Sequence, residues 1–480
     1  MNSRFSRWSL SISIGLGCLF AGYLVVFRAS NLTSADDLGM LIFLQVLLAV
    51  LWKFQQRFFP FLIAIFLGAA TVVPFQSAWI SGRWFILGVG AVVGCVVCLK
   101  DRLYSLGAFH FVALFCVLAA LLSATAPEYP SQAILKALSL LLLFLYGSFG
   151  ARVAVFERER RFTSGLLWGC EALVYLLAVT YFIFHIEFLG NPNSLGLVTG
   201  VVALPLMLWG ILVSDRMLVR RRRGFAFWLA LLLLLSSYSR ASIAAAAFSC
   251  VLLCLVMRRY KLLMKGCVFT LLAAVLVVTI APPKSETSGP ETSGSITSAF
   301  LYKGHQGTGL LDSRKSVWQE TISTIQEHPW LGTGFGTIGT SFDTGEISDK
   351  FASSSTVTRE HGNSYLAIVE GVGLLGVVPF LTLVLLVAIN ATRVLVWTRN
   401  TRDPRSLAFP IAIFLVAGLV HAGFEDWLFA VGNYLCVFFW SLAFILGDLL
   451  PAKESRRASL IAFPDSPLRM DSLGVVPSAR

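Results

Sequence analysis

Apolar runs follow one another along most of this chain, separated by short polar breaks. The runs at residues 58–75, 106–124, 166–185 and 407–424 each approach the roughly 17–25 residues that cross a hydrocarbon core as a helix. About fourteen segments meet that description, those at 38–52 and 225–238 being short. The pattern predicts an all-α polytopic integral membrane protein with about 12–14 transmembrane helices. The first run, residues 10–27, follows Arg4 and Arg7 as a secretory signal would. It lacks a good cleavage site and many more segments follow, so it reads as a retained first helix.

One polar stretch is far longer than the other breaks and divides the chain. Residues 1–281 form an N-terminal helix block, 282–362 a loop, 363–450 about three further helices, and 451–480 a polar tail. Within the loop, residues 282–298 are Pro, Ser, Thr, Gly and Glu with little to bury, hence a linker. Residues 311–327 predict an amphipathic helix, capped by Asp312 or Ser313 and stopped by Pro329, with Trp318, Ile322 and Ile325 on one face. A glycine-rich run at 331–339 predicts a compact turn, and 340–358 is polar and unpatterned. From Asn363 an apolar helix re-enters the membrane, its Gly371, Gly373 and Gly376 suited to close packing.

Composition agrees: 56% of residues are hydrophobic and 13% charged, with mean hydropathy +0.77, against roughly 25% charged in soluble domains. A net charge of +12 would by itself admit a nucleic-acid partner. Its distribution removes that reading. Of the 38 cationic side chains, 28 fall in alternate breaks: around Arg4, Lys53, Lys100, Arg152, Arg220, Arg258 and Arg399, and in the tail. That alternation is the positive-inside rule. It predicts cytoplasmic termini and an extracytoplasmic loop. The loop holds nine acids and six bases, so an anion site there must be built from individual arginines.

All nine cysteines lie in apolar segments, so no disulfide framework braces the loop. Cys95 and Cys98 have metal or redox spacing, but in an apolar helix they read as core residues. Gly334, Gly336 and Gly339 fit GxGxxG without the strand and helix that a dinucleotide fold needs. A turn seating the amphipathic helix is the better reading of them, and backbone amides offered to a phosphate the sharper one.

Chemistry concentrates in few residues. Arg240 follows Tyr238-Ser239 in a turn between two apolar runs, and charge at membrane depth requires a partner. Arg314 lies in the first turn of the loop helix. His361 closes the loop against the membrane and has the titration range of a general base, or simply packs there. His305 and His328 share no metal-ligand spacing with it. Residues 190–196 form an outer turn in which Asn193 or Ser194 caps the next helix. Glu171 reads as an acid satisfied inside the bundle, and Glu425-Asp426 as an outer turn.

Together these stretches resemble the O-antigen ligase and Wzy-type polymerase superfamily of bacterial envelopes. The likeness runs through Asn191-Pro192-Asn193, Tyr238-Ser239-Arg240, Arg314 with Trp318, and His328-Pro329-Trp330-Leu331-Gly332 to Gly336. It ends at His361-Gly362-Asn363-Ser364-Tyr365-Leu366 and Glu370 to Gly376. Where the family commonly has His followed by Asn, this chain has Gly362 between them. The resemblance implies a metal-independent inner-membrane glycosyltransferase without cofactor. It would move a glycan from polyprenyl diphosphate to a sugar hydroxyl, lipid A–core for a ligase or another lipid-linked chain for a polymerase. By matched position, Arg240 and Arg314 would hold the diphosphate and His361 would assist the acceptor hydroxyl. Asn191, Asn193, Trp318, Asn363 and Tyr365 would line the substrate site. A polysaccharide transporter is the reading from another class; it calls for charged or broken midplane helices, of which the sequence shows few.

Overall fold

The computed structural model describes residues 58–71, 76–100, 106–125, 130–155, 158–186, 188–280, 312–336 and 361–450. The expected first helix, the 38–52 segment, the linker, the 340–358 stretch, His305 and the tail lie outside these residues. Among the described residues the chain is helical, with no strand.

The helices, in order, are α1 (Phe58–Ala69), α2 (Gln76–Lys100), α3 (Ala108–Ser123), α4 (Pro130–Val155), α5 (Glu159–Ile183), α6 (Pro192–Val213), α7 (Met217–Ser236), α8 (Arg240–Val256) and α9 (Tyr260–Ile280). Then come the loop helix α10 (Asp312–Glu327) and the helices α11 (Ser364–Thr401), α12 (Ala408–Ala422) and α13 (Tyr434–Asp448). Five of the helices are long and apolar enough to cross a membrane, α11 with 38 residues being the longest. The chain is a polytopic all-α membrane protein.

Helices that are apolar all round belong in the middle of a bundle. α12 and α13 are such helices, buried along nearly their whole length. Against them pack α8 and α11 on one side and the last turns of α4 on the other. α2, α3, α9 and α11 leave large apolar side chains exposed, including Val92, Phe115, Met264 and Val378, the outward face expected toward lipid.

α7 is longer than the apolar run predicts. It starts at Met217 and carries Arg220–Arg223 in its opening turns. The charge is tolerated because Glu171, 3% exposed, accepts Arg222 Nε at 2.6 Å and Arg223 Nε at 3.1 Å. Arg223 Nη1 further donates to Gly210 O and Ser214 Oγ. Glu171 is satisfied inside the bundle, as expected.

Cationic residues assigned to alternate breaks separate to opposite ends. Arg152 pairs with Asp448, and Arg405 with Asp215 beside the Arg223 cluster. At the other end, Arg83 Nη1 donates to Gly432 O at 3.1 Å, in the turn between α12 and α13, and Lys136 lies against Gly336. Of the cysteine pair, Cys98 is fully buried, its Sγ 3.7 Å from Phe149 O, and Cys95 is half-buried.

Candidate active site

Two corrections concern local structure. Asn191, not Asn193 or Ser194, caps α6: its side-chain oxygen accepts the Asn193 amide at 2.8 Å, and Pro192 follows at the first helical position, where a missing N–H costs little. In α10 the inward face is turned from the one predicted. Thr321 is fully buried while Ile322 is 44% exposed. Thr321 Oγ1 bonds back to Val317 O within the helix; Trp318 and Ile325 stay half-buried, whereas Ile322 faces outward.

After α10 the chain makes the glycine-rich turn, and the turn enters a break in α11. At Gly373 the backbone takes φ +67° and ψ −180°, a region open to glycine. The break frees backbone groups that a membrane interior cannot leave unpaired. Residues around the turn supply the partners: Leu374 N donates to Pro329 O at 2.8 Å, Leu375 N to Trp330 O at 3.2 Å, and Thr333 N to Glu370 O at 2.8 Å. Gly332, at φ +71°, rests on the Glu370 carbonyl, where a Cβ would collide. Phe335 stacks on Phe380 and its amide donates to Ser123 Oγ. Gly334 and Gly336 are therefore part of a structural turn; Gly339 lies outside the described residues.

This lock fixes the height of Glu370, which is 1% exposed. Its Oε2 sits 3.2 Å from His361 Nε2. The other ring nitrogen, Nδ1, lies 3.0 Å from Asp426 Oδ2, which also accepts the His361 backbone amide at 3.1 Å. With a carboxylate on each nitrogen, the ring is held as an imidazolium. Burial opposes the charge, but the hydrogen bonds to Asp426 and Glu370 outweigh it and bring the His361 pKa up to about 9. Burial likewise opposes the Asp426 carboxylate, and the bonds to His361 still hold it below the usual range.

Arg314 reaches the same turn from α10 and pairs with Glu425. Gly362 explains how it gets there. At φ +62°, it leaves room for the guanidinium: a Cβ would stand 2.5 Å from Arg314 Nη1. Trp318 Nε1 donates to Gly362 O at 3.3 Å. The extra glycine therefore lets Arg314 lie flat against the backbone that carries His361. Asn363 caps α11, accepting the amides of Tyr365 and Leu366. Tyr365 Oη donates to Leu419 O at 2.8 Å, and Ser364 Oγ to Glu425 O at 2.6 Å. These bonds bind the start of α11 to α12 and to the turn that follows it.

Arg240 lies on another element. It is the first residue of α8 and half-buried. Two residues on, Ser242 Oγ lies 3.0 Å from His421 Nε2, and Trp427 Nε1 donates to His421 Nδ1 at 3.0 Å. The Trp427 bond requires Nδ1 to be bare, so Nε2 carries the proton to Ser242 and His421 is neutral. Gly196 of α6 presses on Ser237 and Ser239, which brings Asn191 and Asn193 to the same end of the bundle.

Residues 225–381 match the O-antigen ligase family model. The matched stretch supports the resemblance of the chain to the O-antigen ligase and Wzy superfamily. It takes in Arg240, Arg314, His361 and the lock around Gly373. No curated protein matches the chain.

His361 and Arg314 thus meet on one turn, with Trp318, Asn363 and Tyr365 around them, while Ser242, two residues after Arg240, bonds His421 at the end of α12. Sequence reasoning missed Glu370, His421 and the site role of Glu425 and Asp426. A signal was available: three carboxylates and a histidine in or beside apolar helices need partners. No group of three His, Cys, Asp or Glu among the described residues is arranged to hold a metal ion.

Proposed function

We propose that the chain is an O-antigen-ligase-type glycosyltransferase of the bacterial inner membrane, with cytoplasmic termini and its site on the periplasmic face. The donor is a glycan on polyprenyl diphosphate and the acceptor a sugar hydroxyl of lipid A–core. One observation carries this reading: adjacent residues of a single turn, Glu425 and Asp426, hold a guanidinium and an imidazolium side by side. A diphosphate leaving group needs cations placed before its charge develops, and Arg offers two parallel donors to phosphate oxygens. Arg314 and Arg240 fill that role, with Glu425 keeping Arg314 in place until phosphate oxygens replace it. His361 and its carboxylates serve the acceptor hydroxyl. A lipid-linked donor suits a site at the ends of membrane helices.

The test is consumption of lipid-linked glycan by the purified chain, together with the glycans of a deletion strain. Long chains accumulating on the lipid carrier support the ligase. Loss of long chains assigns a polymerase instead, and an unchanged lipid-linked pool in both assays removes the enzyme reading.

A further inference from the structure

The three acids around the cations are not equivalent, and the differences assign them separate tasks. Glu370 is sealed, with 1% of its side chain exposed, while the His361 ring is 13% and Asp426 27% exposed. Both His361 nitrogens face carboxylates, so the ring has no bare nitrogen to offer an incoming hydroxyl. Asp426 spends one oxygen, Oδ2, on both the ring and the backbone amide of His361. Its Oδ1 takes part in neither bond.

We propose that Asp426 takes the proton of the acceptor hydroxyl, and that His361 is the imidazolium that positions it. This rests on the glycosyl-transfer reading above. In the step, the acceptor oxygen forms the bond to the anomeric carbon and its proton passes to Asp426 Oδ1. The bond from the anomeric carbon to the diphosphate oxygen breaks, and the diphosphate leaves with the electron pair, held by Arg240 and Arg314. Asp426 then returns its proton to water. Glu370 keeps the imidazolium charged throughout, so a proton arriving on Asp426 does not strand a buried cation. The bound diphosphate adds negative charge nearby and strengthens Asp426 as a base just when it is needed.

Single-turnover transfer by the full chain in nanodiscs tests this, using undecaprenyl-diphosphate-linked glycan extracted from a strain lacking the chain and lipid A–core as acceptor. Binding of undecaprenyl diphosphate is measured alongside. Asp426→Asn keeps the size and an acceptor oxygen for His361 but takes no proton. It is expected to transfer at least about a hundredfold more slowly, as for loss of a positioned base, with undecaprenyl diphosphate bound as in the wild type. Asp426→Glu is expected to recover part of the rate. The wild-type rate should be level from about pH 6 to 8 and fall as pH passes about 9 and the imidazolium is lost. A rate that instead climbs through that range makes neutral His361 the base and overturns the proposal, as does Asp426→Asn transferring within about tenfold of wild type. Where Asp426→Asn fails to fold, the wild-type pH profile decides alone. A wild-type chain that binds undecaprenyl diphosphate but never consumes the donor overturns the transfer reading and this one with it. Normal wild-type turnover beside an active Asp426→Asn sinks only the assignment to Asp426.

Discussion

The bundle buries carboxylates at both ends, and it treats them differently. Glu171 meets two arginines, and the deeper of these, Arg223, also bonds Gly210 and Ser214. Every strong group there is answered by another group of the chain. At the opposite end Arg314, Glu425, His361 and Asp426 are paired as well, yet each keeps an exposed edge, 13% to 27% of the side chain. An acid inside a membrane protein is thus no sign of catalysis by itself. What separates the two clusters is whether a carboxylate keeps an open edge: Glu171 is 3% exposed, Glu425 18% and Asp426 27%.

The sharpest way to break that contrast is His361→Ala. It should leave folded protein and donor binding near wild type while single-turnover transfer falls about 10²–10⁴-fold. Transfer lost only in proportion to folded protein would make the His361 cluster as structural as the Glu171 one.

Arg314→Lys and Arg240→Lys keep the charge and lose the planar fork. Each should slow transfer by about a hundredfold or more, the scale of a lost donor to developing charge. Wild-type rates for both would remove the clamp.

Gly373→Ala tests whether the His361 cluster depends on the lock beneath it. A side chain at φ +67° and ψ −180° carries about 1–3 kcal/mol of strain, and here it also meets the Trp330 carbonyl. The expected result is lower thermal stability in detergent together with slower transfer per folded molecule, because Glu370 moves. Lower thermal stability with unaltered transfer would disconnect the two.

Glu171→Gln should do the reverse. Removing one partner of a buried ion pair costs about 3–5 kcal/mol, while transfer per folded molecule stays at the wild-type level. A specific loss of transfer would contradict the division between the ends.

The smallest expected effect is on pH dependence. The His361 pKa rises from 6.5 to about 9 on folding, so its pairing stabilises fully below about pH 6.5 and is lost as pH climbs through about 9. Thermal midpoints should decline over that window, and His361→Gln should flatten the decline. An identical slope in the variant would place the titrating group elsewhere.

Helix identity and the order of the polar breaks were legible in the sequence because membrane helices announce themselves by length and apolarity. The turn before Arg240 and the loop helix were readable for the same reason, since Ser236–Arg240 and Pro329 punctuate strong patterns. The start of α7 was not, because Arg222 and Arg223 look like a polar break until Glu171, about fifty residues earlier, is placed against them. The same holds at the site. His361 and Arg314 stood out in the sequence, but their carboxylate partners at the α12–α13 turn lie far along the chain. Glu370 read as part of a small-residue packing run, and Glu425-Asp426 as a turn. Only folding brings Asp426 back to His361, 65 positions away. The capping error at Asn193 has a local cause: Asn191, Asn193 and Ser194 are all good caps, and Pro192 favours the one directly before it.

The lock between the glycine turn and the break in α11 makes the loop and the membrane helix a single inheritable part. Each half supplies what the other lacks: Leu374 and Leu375 need the carbonyls of Pro329 and Trp330, and Thr333 needs that of Glu370. A loop exchanged with a relative to alter specificity would arrive without its socket unless residues 370–375 travelled with it. Recombination that respects the membrane boundary would therefore cut this protein in the wrong place.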